Sequence, residues 1–153
     1  MALRITDISV NLPFGIGGVT IARSEAQREA AWALYVEYAT RITTQSLASG
    51  QGSIREALTS LYQLFDITRE VLKSAGPGVA DGPESLGPLA IRVLNEGVRP
   101  FLVDWHSRLG AYEDEQRVAQ RAHLGPGVEP VIDEAAWDRA ADFQRALEAV
   151  SDT

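Results

Sequence analysis

The sequence predicts a mainly α fold: an up-down-up-down four-helix bundle preceded by an N-terminal β-hairpin. Three observations predict it. Apolar residues recur at steps of three and four through four separate stretches, the spacing of amphipathic helices. Glycine- and proline-rich breaks at 50–52, 76–88 and 125–127 separate those stretches. Only residues 4–22 change to strict alternation, the strand period. A chain of 153 residues makes one domain, 1–153, with the hairpin over 4–22, the bundle over 24–150 and a flexible Gly/Pro connection over 76–88.

In the hairpin, Ile8, Val10 and Leu12 alternate with Asp7, Ser9 and Asn11, and Val19 and Ile21 flank Thr20. PFGIGG between the two runs supplies the turn. Its glycines invite a phosphate-loop reading, but no Lys-Ser/Thr pair follows and a strand comes next instead of a helix. An isolated two-stranded hairpin is marginal in water, so it must pack on the bundle, on a copy of itself or on another chain.

The first helix opens with SEAQ, a capping box in which the Ser24 side chain accepts from the third amide and Gln27 reaches back. It runs to about Ser49, before Gly50 and Gly52. Leu34, Tyr35, Tyr38 and Ile42 form one stripe, and Trp32, Val36 and Ala39 form another, so the helix meets two neighbours. SIRE, with Ser53 and Glu56, opens the second helix. Ile54, Leu58, Leu61, Phe65, Thr68 and Leu72 follow as a bundle seam, and Lys73 suits the C-terminal end of the dipole. The third helix starts near Pro88 and continues to about Ala122, with Leu94, Val98, Phe101, Leu102, Trp105, Leu109 and Tyr112 on one stripe. Asp133 caps a last helix carrying Ala136, Ala140, Phe143, Leu147 and Val150, with Trp137 beside the stripe.

The formal charge is −7, no Lys/Arg run interrupts it, and Lys73 is the only lysine. That balance disfavours a nucleic-acid partner. There is no cysteine, which excludes disulfides and thiolate metal sites and suits a reducing cytoplasm. No signal-peptide core and no membrane-length apolar run occurs. Neither a cofactor motif nor a metal-ligand pattern is found: His106 and His123 are the only histidines, and Asp104 and His106 face different sides of their helix. Glu113, Asp114 and Glu115 read as a solvated acidic face.

The stretch VLNEGVRPFLVDWH, 93–106, carries the candidate site. Pro100 lacks an amide hydrogen and crowds the Glu96 carbonyl, and Gly97 loosens the same turn, so a kink is expected. Asn95, Arg99 and His106 form a polar line beside the apolar stripe, since residues seven apart share a face. In the first reading, Arg99 pairs with an acid and His106 packs at the core edge. In a second, this line together with Trp105, and with Trp32 on the first helix, forms a protein-binding or self-associating surface, for Trp and Arg anchor interfaces. In a third, Arg99 and His106 are catalytic: R-x6-H resembles the R-x4-6-H motif of HEPN ribonucleases, in which an arginine and a histidine act at a dimer interface. A pocket at the Pro100 kink, serving as a small-ligand sensor, is the remaining alternative.

NLPFGIGGV (11–19), REAAWALYVEYATRI (28–42), SIREALTSLYQLFDITREVLKSAGPG (53–78) and VLNEGVRPFLVDWH (93–106) together resemble a group of small, uncharacterised actinobacterial helical proteins found beside components of defence or conflict systems. The resemblance implies an intracellular accessory or sensing module and assigns no catalytic residue.

Overall fold

The computed structural model describes residues 8–12, 17–21, 24–42 and 53–151, with side-chain surroundings over 24–40 and 53–149. Among these the chain is mainly helical, in four helical stretches. These are α1 (Glu25–Ile42), α2 (Ile54–Ala75), a long composite of α3 (Leu86–Arg92), a π-helical turn (Val93–Val98) and α4 (Arg99–Arg121), and α5 (Ala140–Ser151). Two short strands, β1 (Ile8–Leu12) and β2 (Gly17–Ile21), pair antiparallel with Ile8 opposite Ile21. The rest of the expected hairpin, 4–7, 13–16 and 22, lies outside the described residues, as does the expected end of the first helix at 43–52.

Local chemistry starts α1 and α2 where the capping boxes stand. Ser24 Oγ accepts from the Gln27 amide at 3.2 Å, and Ser53 Oγ from the Glu56 amide at 3.3 Å. The Gln27 side chain departs from the box, however. It is 3% exposed and donates to the Gly78 carbonyl at 3.0 Å, tying the start of α1 to the turn after α2. Near the other end of α1, the Tyr38 hydroxyl meets Thr68 Oγ1 at 2.9 Å, so the two helices run in opposite directions.

The glycine- and proline-rich stretch at 76–88 is folded locally. Gly76 sits at φ 77° and donates its amide to the Leu72 carbonyl, closing α2 in a conformation that favours glycine. Pro77–Ala80 forms a single 3-10 turn that buries Val79 to 3% exposure. The third helix begins at Leu86, two residues earlier than Pro88 suggests, with Ser85 at the cap position. Gly87 is what lets the two pieces touch: a Cβ there would lie 3.0 Å from the Val79 carbonyl oxygen.

The expected kink at Pro100 takes the form of the π turn. The Arg99 amide donates to the Leu94 carbonyl, five residues back. Pro100 has no amide to offer Glu96, and widening the preceding turn spares its ring the clash with that carbonyl.

Leu58 and Leu61 of the predicted α2 stripe meet Val98 and Leu109 of the composite helix in the core, joined by Leu64, Val93 and Phe143, and each of the seven is no more than 1% exposed. Each such side chain contributes about 1.5–3 kcal/mol on burial. The last helix departs from the sequence reading. Asp133 Oδ1 accepts from the Ala135 amide and caps only a 3-10 turn, Glu134–Ala136, and helix resumes at Ala140. Trp137 explains the break. Its ring is 6% exposed, edge-on to Trp105 at 6.1 Å and stacked on Tyr112 at 5.8 Å, and its backbone turns extended to reach that slot. Ala136, expected on the apolar stripe, is exposed as a result.

Candidate functional site

The structure brings Arg99 and His106 to one depression between α2 and α4. It has a volume of about 400 Å³, and Tyr62, Phe65 and Arg69 are among its other walls. Arg99 is exposed and places its guanidinium 5.1 Å from the centre of the Phe65 ring. Its Nε donates to Asn95 Oδ1 at 3.2 Å, so the two polar residues form a pair one turn apart. No ion pair to Arg99 occurs among the described residues, although Asp66 lines the same depression and pairs with Arg69 at 2.6 Å.

A second groove of about 680 Å³ continues from this one, sharing Phe65 and Arg69. It lies between the second half of α2, the Pro77–Ala80 turn and α3, and Asn95 borders it next to the π turn. Its walls are largely apolar, with Leu72, Val79, Ile91 and Leu94 among them. The kink expected from sequence therefore adjoins a real concavity.

On its other side His106 joins a network that no spacing in the sequence announces. Arg55, in the first turn of α2, holds the Glu113 carboxylate with both prongs of its fork, Nε to Oε1 at 3.1 Å and Nη2 to Oε2 at 2.7 Å. Its Nη1 reaches His106 Nδ1 at 3.2 Å. A guanidinium only donates, so Nδ1 accepts and the ring proton sits on Nε2. Partial burial and the Arg55 charge hold the His106 pKa below its ordinary value, against the opposing pull of Glu113. Arg117 adds a longer contact to Glu113 at 3.4 Å, and Arg55 donates its backbone amide to Glu134 Oε2 at 3.2 Å.

Two residues expected at the surface, Glu113 and Trp105, are buried. Glu113 belongs to an acidic run read as solvated, yet it is 8% exposed, because Arg55 and Arg117 neutralise it in place. Trp105, expected to border a contact surface, is 8% exposed and packs edge-on against Phe143 at 5.2 Å. Trp32 and Val36, expected on a stripe that meets a neighbouring helix, are instead 66% and 38% exposed, and Trp32 stacks on Tyr35 at 5.6 Å. Asp104 pairs with Arg108 at 2.8 Å and takes no part in the His106 network. Among the described residues no group of three or more His, Asp or Glu side chains is placed to hold a metal ion, and no helix is long and apolar enough to cross a membrane.

Two features were beyond sequence reasoning. Arg55 and Glu113 stand 58 positions apart on different helices, and Glu134 is a further 21 along. The one available signal was that arginine carries nearly all the positive charge, which favours forked carboxylate pairs.

No protein family, no curated protein and no solved structure matches this chain.

Proposed function

We propose that the chain is a non-enzymatic helical-bundle module that works by association, binding a partner protein or a second copy of itself. In this reading the four helical stretches stack up-down-up-down, and the N-terminal hairpin completes the unit or pairs across the interface. The resemblance to the actinobacterial group supports a cytoplasmic accessory role in a multi-protein defence or signalling system. The observation that carries the proposal is the α1 face: Trp32 is 66% exposed, Tyr35 and Val36, each one helical turn on from it, are 52% and 38% exposed, and the Trp32 and Tyr35 rings are already stacked. A preorganised aromatic pair loses little entropy when covered, which is why such residues anchor interfaces.

Light scattering across a concentration series, and affinity purification from the native host, test it. The wild type is expected above 16.6 kDa, or holding a defined protein partner. Replacing Trp32 and Tyr35 with alanine should weaken that association by about 2 kcal/mol or more. A double variant that associates as well as the wild type would defeat the proposal, as would a wild type that neither self-associates nor retains a protein.

One observation favours a ribonuclease as a second reading: Arg99 and His106 line the same depression, beside Arg69. The arginines would stabilise phosphoryl charge while the neutral imidazole moves a proton. Under this reading His106→Ala loses about a hundredfold or more in RNA cleavage, and a wild type without cleavage ends it.

A further inference from the structure

We infer that the groove between α2 and α3 binds a single-chain amphiphilic anion: an aliphatic chain ending in a carboxylate or phosphate. The site is separate from the α1 face and does not depend on it. Four features carry the inference. The groove, at about 680 Å³, falls in the size range of small-ligand sites. Its walls are mainly aliphatic and aromatic, and Ile91 stands 51% exposed on one of them. Two of the polar atoms in the wall are already engaged: the Thr68 hydroxyl by Tyr38, and Asn95 Oδ1 by Arg99. A peptide strand would therefore find few partners for its amides and carbonyls, whereas an alkyl chain needs none.

The fourth feature is charge. The protein carries −7, yet the groove and the depression joined to it are bordered by Arg69, Lys73 and Arg99 against one acid, Asp66. Asp66 and Arg69 neutralise each other, and no ion pair to Lys73 or Arg99 occurs among the described residues, so these two leave the border net positive. Lys73 stands near the C-terminal end of α2, where helix carbonyls disfavour an anion. The head group therefore belongs at the Arg69–Arg99 end, over Phe65, with the chain lying toward Leu72 and Ile91.

Isothermal titration of the full chain, below micelle-forming concentrations, tests this with four probes: dodecanoate, dodecyl phosphate, dodecyltrimethylammonium and octyl glucoside. Saturable one-to-one binding is expected for at least one anion, and the tighter anion identifies the head group. The cationic and neutral probes should bind about tenfold more weakly or worse. Arg99→Glu should weaken anion binding about fivefold or more, Arg99→Lys should largely keep it, and Ile91→Asp should abolish it. Both sites are exposed, and far-UV circular dichroism checks that each variant is folded. Equal uptake of the cationic probe would overturn the inference. So would an Arg99→Glu or Ile91→Asp variant that binds like the wild type. Absence of saturable anion binding by the intact chain overturns it equally, whatever else fills the groove.

Discussion

At the scale of single residues, the informative contact is Arg55 facing His106. A protonated imidazole would set two donors and two positive charges against each other 3.2 Å apart. The His106 pKa is therefore held low in the folded chain, by partial burial first and by Arg55 second. On acidification the unfolded chain takes up this proton first, at its ordinary value of about 6.5. His106 thus costs no stability above that pH and increasingly lowers it as the pH falls below. His106→Asn offers an acceptor near the position of Nδ1 and does not titrate. Its urea midpoint should fall less than the wild type's between pH 7 and 5. Parallel curves for the two proteins would show that folding does not lower the His106 pKa. The shared direction of Arg99 and His106 was legible beforehand, because residues two turns apart on one helix have a fixed relation. The partners of His106 were not, because they come from other helices.

At the scale of elements, the N-terminus of α2 shows how a local signal is completed from a distance. The SIRE motif places Ser53 at the cap, and Ser53 does accept from the Glu56 amide. The carboxylate at this helix end comes from Glu134 instead of Glu56. Glu134 takes the Ser53 hydroxyl at 2.9 Å and the Arg55 amide at 3.2 Å, where the helix dipole favours an anion. Glu134→Ala should therefore cost about 1–2 kcal/mol in urea unfolding. Glu56→Ala, which removes an exposed side chain, should cost less. If the order is reversed, the cap is closed within α2 alone. The same division holds in the composite helix. Gly97 and Pro100 announce a weakness, but only packing of Leu94 and Val98 into the core, at 6% and 0% exposure, selects a π turn over a break.

At the scale of the whole molecule, α5 is tied to the rest through aromatic rings. Phe143 is fully buried, 5.2 Å from Trp105 and 5.8 Å from Phe101. Phe143→Ala should cost about 3–5 kcal/mol, a large share of the 5–15 kcal/mol typical of a folded domain. It should also diminish the near-ultraviolet circular dichroism of Trp105 and Trp137, whose mutual geometry Phe143 helps to set. A variant that keeps both its midpoint and its tryptophan signal would mean that α5 is held elsewhere. The exposed α1 aromatics and the basic groove are features of this scale as well, since each depends on which helix faces remain uncovered after packing.

The sequence by itself determined that four helical stretches form, where two of them start, and most of the residues that α2 and the composite helix turn inward. Those properties depend on residues within a turn or two of each other, and periodicity and caps record them directly. Tertiary structure alone decided the rest. It left Trp32 outside and Trp105 inside, though both sit on apolar helical faces. It drew Trp137 out of helix into an aromatic slot, and it buried Glu113 under Arg55. Each outcome depends on groups far apart in the chain, and a one-dimensional pattern carries no term for the energy of their meeting.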